Sequence, residues 1–281
     1  MVTINETTNW EEIYHYQRHF PTPYFFSQPF DIWKQSFCQD VDGQGRVLFR
    51  DLTVKAAYCG NALVGFIQYG HSAFGFGENG DISQEISYPI IRNFYFDPTQ
   101  KQAGRELLRH GLKELGADAR VYAYFHYFGM RCFGRHGKLF EKYSHIQEML
   151  LENGFVLEHE NVYYTSTLEE SSAIQVQIDA QELSSGHQQY MDFLLDGNHV
   201  GGCKIHYVDD LTAYLRWIYV NGDQTGKGIG TLCMKALKQW LYGKGIRRLD
   251  TDTALNNTIA QHYYEKTGFL REGITRSYHT P

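Results

Sequence analysis

The sequence predicts an α+β chain of two similar units in tandem, each a twisted mixed sheet flanked by helices. Three observations lead there. Segments with strand period and helix period alternate along the chain. Each half runs from a strand into an amphipathic helix, then a strand and a second helix. Each second helix closes on the same dipeptide, Gly154-Phe155 and Gly268-Phe269, 114 residues apart. The division is expected near Glu169-Glu170-Ser171-Ser172, a short polar stretch, giving domains 1–170 and 171–281.

Taken in order, Trp10–Phe20 and Phe30–Asp40 read as helices. Strands are expected near Leu48–Tyr58 and Ala62–Tyr69, joined at Gly60-Asn61, residues that tolerate the positive φ of a hairpin turn. A strand at Ile90–Phe96 leads into a helix with Leu107, Leu108, Leu112 and Leu115 on one face. Val121–Tyr127 is a further strand, and a helix closes at Glu152-Asn153. In the second half, Ile174–Asp179 alternates apolar and polar side chains, the period of a half-buried strand. Gln189–Leu195 and His199–Tyr207 flank Asp196-Gly197-Asn198, a second hairpin signal, and Thr212–Val220 is another strand. Apolar residues at 229, 232, 233, 236, 237, 240 and 241 form the stripe of an amphipathic helix that Gly243 and Gly245 end. A strand at Arg248–Thr253 follows, then a helix opened by Asn256 or Asn257 and closed before Gly268. Final strands are expected at Phe269–Leu270 and Ile274–His279.

Composition restricts function. Hydrophobic residues make up 42% of the 281 and charged residues 21%, the balance of an ordinary globular chain. A net charge of −6 and a pI near 6.1 argue against nucleic-acid or acidic-membrane partners. The acidic excess lies wholly within residues 1–170. Cys38, Cys59, Cys132, Cys203 and Cys233 are odd in number and form no Cys-x-x-Cys, which suits reduced thiols in the cytoplasm. No basic-then-apolar leader opens the chain, and no run approaches the ~18 apolar residues of a membrane span. His15 and His19 stand four apart, but without a third ligand nearby they read as helix surface, and no metal site is expected. Phe125–Gly137 is an aromatic and basic run, either a lining for an acceptor site or a packed loop.

Gly226-Lys227-Gly228-Ile229-Gly230 follows a strand and opens a helix, so its backbone N–H groups and the helix dipole make an anion site. Its register excludes two nucleotide loops. A GxGxxG fingerprint needs a third glycine where Thr231 stands. The phosphate loop of nucleotide triphosphatases needs four residues between glycine and Gly-Lys, whereas Gly222 to Gly226 leaves three.

Ile218-Tyr219-Val220, then five residues, the glycine loop and an amphipathic helix together resemble the acetyl-CoA-binding segment of the GNAT superfamily of N-acetyltransferases. The family's loop, Arg/Gln-x-x-Gly-x-Gly/Ala, falls on Thr225, Gly228 and Gly230, with Thr225 departing from it. Asn257-Thr-Ile-Ala260-Gln-His-Tyr-Tyr264-Glu-Lys-Thr-Gly268-Phe269 is similar to the family's Asn-x-x-Ala-x-x-x-Tyr-x-x-x-Gly-Phe helix. Two motifs in the right order are far more specific than either alone. The resemblance covers 174–281 strongly and 1–167 as a weaker copy. It implies a degenerate acetyltransferase-like domain at 1–170 and an acetyl-CoA-binding N-acetyltransferase domain at 171–281.

The resemblance also implies acetyl-CoA as acetyl donor and direct attack of an amine on its thioester. Pantetheine would lie along Ile218, Tyr219 and Val220, with the Ile218 N–H facing the oxyanion. The pyrophosphate would rest on Gly226, Lys227, Gly228, Ile229 and Gly230, with Thr225 at the head of the loop. Asn257 is either a polar contact to the cofactor arm or a helix N-cap. Tyr264 would protonate the departing thiolate, while its neighbour Tyr263 reads as core. Asp250 and Asp252 share one strand face, and Asp252 is the preferred base, with Asp209, Asp210 and His206 behind it. The first half lacks these parts. Its loop from Phe96 to Gly104 is two residues shorter, and Leu150 and Tyr143 stand where Tyr264 and Asn257 stand in the second.

The expected function is therefore transfer of acetyl from acetyl-CoA to a primary amine, a small cationic molecule. The alternative is a non-catalytic acyl-CoA-binding or regulatory protein on the same fold. Tyr264 favours the first and Thr225 the second. A cytoplasmic monomer or weak homodimer is expected, with no nucleic acid or membrane as partner.

Overall fold

A computed structural model describes residues 2–25, 27–116, 119–170, 175–185 and 187–281. The expected boundary at Ser171-Ser172 and the start of the strand expected at Ile174 lie outside the described residues. The elements in order are β1 (Val2–Glu6), α1 (Trp10–Gln17), α2 (Phe30–Cys38), β2 (Thr53–Cys59), β3 (Ala62–His71), β4 (Gly75–Phe76), β5 (Ile82–Ser83), β6 (Pro89–Phe96), α3 (Lys101–Leu115), β7 (Tyr122–Ala123), β8 (Leu139–Phe140) and α4 (Ser144–Glu152). They continue as β9 (Val156–Thr167), β10 (Gln177–Ala180), β11 (Gln188–Leu195), β12 (Asn198–Tyr207), β13 (Thr212–Val220), α5 (Ile229–Gly243), β14 (Arg248–Ala254), α6 (Thr258–Lys266) and β15 (Leu270–His279). Among the described residues no helix is long and apolar enough to cross a membrane.

The chain divides into two compact units. The first comprises Met1–Asp42, Arg46–Glu160 and Thr275–Pro281; the second comprises Gly43–Gly45 and Asn161–Ile274. This differs from a cut at 170. Asn161–Thr167 of β9 pairs with β14, and the end of β15 pairs with β7 at Tyr278↔Ala123, so strand pairing assigns each segment to its unit. The 12-residue strand β9 has no counterpart in the sequence reading, and β15 is one strand rather than two.

In the first unit the strands run in the order β1-β2-β3-β6-β7, all antiparallel except the β6/β7 pair. Its core joins Ile13, Trp33 and Phe37 of α1 and α2 to Phe66, Phe94 and Phe96 of the sheet and to Leu107 and Leu108 of α3. Val121–Tyr127 is strand only at Tyr122–Ala123, because Tyr124 turns the chain with a φ of 57°. Residues Phe125–Gly137 are largely buried, which favours the packed-loop reading. His15 and His19 are both exposed, and His19 lies past the end of α1.

In the second unit the order is β9-β14-β13-β12-β11-β10, antiparallel except for β13/β14. Asp196 and Gly197 take φ of 51° and 78° between β11 and β12, a two-residue hairpin turn whose twist matches the strands. The stripe Cys233, Met234, Ala236, Leu237 and Leu241 of α5 packs on Cys203, Ile205, Leu215 and Leu249. Among the described residues this unit has no counterpart of α1 and α2.

Both units use the repeated Gly-Phe in one way. Gly154 and Gly268 take φ of 86° and 85°, the left-handed region that favours glycine. The N–H of Phe155 then donates to Leu150 O at 3.1 Å, and that of Phe269 to Tyr264 O at 3.0 Å. Glycine thus stops each helix, and the phenylalanine N–H satisfies a carbonyl of its last turn.

Candidate active site

The site begins where two parallel strands part. β13 pairs with β14 only from Thr212↔Arg248 to Leu215↔Thr251. Past that point β14 stays with β9 as far as Ala254, while β13 stays with β12 as far as Val220. Arg216 is an extra residue in β13, because Leu215 faces Ile205 and Trp217 faces Lys204. Such a bulge bends a strand and sharpens its twist. Among the described residues the edge of β13 that carries Ile218, Tyr219 and Val220 is thereby left unpaired, with a gap toward Asp252–Ala254.

β13 leads into the glycine loop. Gly226 and Gly228 have φ of 75° and 79°, and Gly228 is the N-cap of α5. Among the described residues no N–H from Gly226 to Gly230 donates to a backbone carbonyl; intrahelical bonding begins with Thr231 and Leu232 to Gly228 O. The first turn of α5 carries no acidic side chain and no side-chain cap. Free amides, a helix N-terminus and glycines that keep the approach open define an anion seat. Thr225 is exposed and its hydroxyl donates to Gly222 O at 2.7 Å, closing the loop's own turn. Lys227 is exposed.

Tyr264 lies at the apex of the gap. It is buried, its ring packs on Phe269 and Tyr164 at 5.4 and 5.7 Å, and its hydroxyl meets the hydroxyl of Thr251. Thr251 Oγ1 in turn donates at 2.9 Å to the carbonyl of Leu215, the last β13 residue paired with β14. Burial, with a smaller push from Asp252, raises the Tyr264 pKa above its ordinary value of 10, so the phenol keeps its proton at neutral pH. Asn257 caps α6, its Oδ1 accepting from Ala260 N at 3.1 Å. Tyr263 is more than core: its hydroxyl donates to Gly230 O at 2.8 Å, tying α6 to the first turn of α5.

Lys238 on α5 also braces α6, donating to Thr267 O and Ser166 Oγ, both at 2.7 Å. Burial lowers its pKa from 10.5 to about 8. The folded state binds that proton less tightly than the unfolded chain, so stability rises with pH between about 8 and 10.5. Urea titrations across that range are expected to show this rise in the wild type relative to Lys238→Met.

Asp252 is half-buried on the opposite face of β14 from Thr251, so a group held in the gap meets Tyr264 from one side and Asp252 from the other. Tyr214 donates its hydroxyl to Asp252 Oδ1. Asp250 is fully buried and neutralised, with Arg248 Nε and the Tyr163 hydroxyl each 2.7 Å from its carboxylate. It braces the strand and adds no free carboxylate to the site. His206 is buried across the ladder from Tyr214, and Asp209 accepts from Leu211 N in a turn beyond β12. Tyr163, Tyr214, Thr251 and Arg216 are absent from the sequence reading. Tyr163 and Tyr214 carried a signal, polar tips at strand positions on the face of Asp250 and Asp252, whereas Thr251 lies on the other face and Arg216 in the bulge.

The first unit holds the same frame with its gap filled. Phe96 faces Gly65 as Val220 faces Gly201, so Phe94 and Phe96 hold the places of Ile218 and Val220. Tyr124 donates its hydroxyl to Phe94 O, and His145 Nε2 donates to Phe96 O at 3.0 Å. A Cβ on Gly104 would meet the Phe96 ring at 2.8 Å, so that glycine seats a phenylalanine. Among the described residues the carbonyls of Ile218 and Val220 receive no such side chain.

The bulged, splayed parallel pair whose first strand runs into a glycine-rich anion loop is the arrangement that the resemblance to acetyltransferases implies. Residues 154–269, part of the chain, match the family model "Acetyltransferase (GNAT) family". A tandem GNAT protein from the clavulanic acid biosynthesis pathway superposes with a TM-score of 0.64 at 10% identity, covering 100% of this chain and 98% of that one. A GCN5-related N-acetyltransferase from Sphaerobacter thermophilus gives 0.60 at 9% identity, with 99% and 95% covered. These likenesses show the fold. A kanamycin resistance protein of Rhizobium radiobacter is 39% identical over 54 residues, 19% of this chain and half the length of that relative.

Proposed function

We propose that the second unit transfers acetyl from acetyl-CoA to a primary amine. The observation that supports this most is the unpaired edge at Ile218–Val220, which ends in free loop amides and has Tyr264 at its apex. The pantetheine amides take the place of the lost strand along that edge. The pyrophosphate sits on the amides of Gly226 to Gly230, and the half-helix charge at the α5 N-terminus favours it. The Ile218 N–H steadies negative charge developing on the thioester oxygen. Asp252 takes a proton from the arriving ammonium, directly or through water, and Tyr264 gives its proton to the departing thiolate. The amide of Asn257, beyond its cap, reaches the cofactor arm.

The relative named for kanamycin resistance supports an amine acceptor, since kanamycin carries several amino groups. The acceptor is a small amine that arrives as its ammonium form, and Asp252 is the carboxylate it meets. Free thiols throughout suit a cytoplasmic enzyme, working as a monomer or weak homodimer.

The test is thiol release from acetyl-CoA on addition of a panel of amines. A catalyst releases thiol in proportion to acetylated product, whereas a protein that only binds or senses acyl-CoA releases none above background. Within that assay Asp252→Asn is expected to lower kcat/KM by on the order of 10², most strongly below neutral pH where the amine holds its proton. Asp209→Asn, in its turn beyond the strand, should do far less. A pH–rate profile for Asp252→Asn that overlays the wild type would remove the base.

A further inference from the structure

The bulge in β13 has a counterpart in the first unit, and the two differ in one partner. In β6 the extra residue is Arg92, since Gln68 faces Asn93 and Tyr69 faces Ile91. Arg92 precedes Phe96 by four residues, as Arg216 precedes Val220. The same backbone irregularity therefore presents the same side chain in both units.

Arg92 is 4% exposed, and its guanidinium pairs with the carboxylate of Asp40 at 2.6 Å and with the carbonyls of Phe128 and Ser36. It also lies 5.1 Å over the ring of Phe49. Asp40 follows α2, an element that the described residues of the second unit lack. Arg216 is half-buried, and among the described residues it makes no hydrogen bond or ion pair. Its guanidinium lies 5.6 Å over the ring of Tyr214, the residue whose hydroxyl donates to Asp252. A planar fork of donors held on an aromatic face beside the splayed strands is prepared for a carboxylate. The charges around it agree. Lys204 shares this face, its ammonium 4.8 Å over Tyr190, and Asp250 is already matched by Arg248, so the face does not select a purely cationic molecule.

We propose that Arg216 binds the carboxylate of the acceptor, which is a small amino acid whose amino group faces Asp252. This rests on the acetyl-transfer reading above and narrows its substrate class from an amine to an amino carboxylate. The ligand's carboxylate plays toward Arg216 the part that Asp40 plays toward Arg92.

The experiment pairs amino acids with their decarboxylated amines, such as lysine with cadaverine and alanine with ethylamine. Phosphoethanolamine and kanamycin serve as phosphate-bearing and purely cationic arms. The wild type is expected to prefer the carboxylate member of its best pair by tenfold or more in kcat/KM. In Arg216→Gln that preference falls to about one, and Arg216→Lys, which keeps charge without the fork, lies between. Thermal unfolding of each variant should stay close to the wild type, since among the described residues Arg216 has no hydrogen bond or ion pair to lose, only its stacking on Tyr214. Preference for a decarboxylated amine, for kanamycin or for phosphoethanolamine overturns the inference and leaves acetyl transfer standing. So does an Arg216→Gln enzyme that loses both members of a pair equally. Absence of thiol release with every amine overturns both readings.

Discussion

Tyr264→Phe is expected to lower kcat by on the order of 10²–10⁴ while the affinity for acetyl-CoA changes little. The substitution removes one oxygen and keeps the ring, so the packing on Phe269 and Tyr164 survives and α6 keeps its place. What is lost is a proton donor on the Thr251 hydroxyl at the point where β13 leaves β14. Burial raises the pKa of Tyr264, so the phenol keeps its proton through the neutral range and the loss should be constant there. That flat difference separates it from Asp252→Asn, whose deficit grows toward acid. Tyr263→Phe makes a sharper control than its sequence position implied. It breaks the bond to Gly230 O and so should raise the KM for acetyl-CoA through the loop, with kcat less affected. Single-turnover rates for the two variants would distinguish them. A fully active Tyr264→Phe enzyme removes the acid and leaves the fold and the cofactor seat untouched.

The fold was legible where one local rule decided the outcome. β13 and the hairpin of β11 and β12 follow from alternation and from Asp196-Gly197, and α5 from its apolar stripe. β9 escaped because its buried run, Val162-Tyr163-Tyr164, is short and its first half alternates around charged residues. Its place is set by pairing with β14, which no local pattern encodes. The tandem repeat could be read from Gly-Phe, since a left-handed cap requires glycine. The assignment of Asn161–Thr167 and Thr275–Pro281 to their units could not, because it depends on which strand each segment meets.

The candidate site divides in the same way. The glycine loop stands out by its register and Tyr264 by the motif that resembles the family's helix, but the roles of Asp250 and Asp252 do not show in this way. Both lie on one strand face, and only the positions of Arg248, Tyr163 and Tyr214 make one a buried brace and leave the other at the gap. A bulge is equally silent in sequence, so Arg216 looked like one charged residue in an apolar strand. The plugs in the first unit, Tyr124 and His145, come from a turn and a helix whose positions relative to β6 are tertiary facts.

Gly228→Asp is expected to weaken acetyl-CoA binding at least 100-fold, roughly 2.7 kcal/mol. Two effects act together. Gly228 has a φ of 79°, a conformation that aspartate tolerates better than most residues yet not freely. More important, the new carboxylate enters the seat proposed for the pyrophosphate and can accept from the same first-turn amides, so the helix would cap itself at the expense of its ligand. Gly228→Ala separates the two, because it carries the strain without the charge and should lose much less. In the first unit, Gly104→Asp is a poor control: affinity should not change, but the Cβ would strike Phe96 and cost stability. Gln100→Asp at the N-cap of α3 places the same charge without that clash and should leave acetyl-CoA binding as it is. Titration calorimetry should find one site per chain in the wild type and in Gln100→Asp, since Tyr124 and His145 already occupy the carbonyls that a second pantetheine arm would need. Two sites per chain, or an unchanged affinity in Gly228→Asp, would remove the glycine loop of the second unit as the sole seat for the donor.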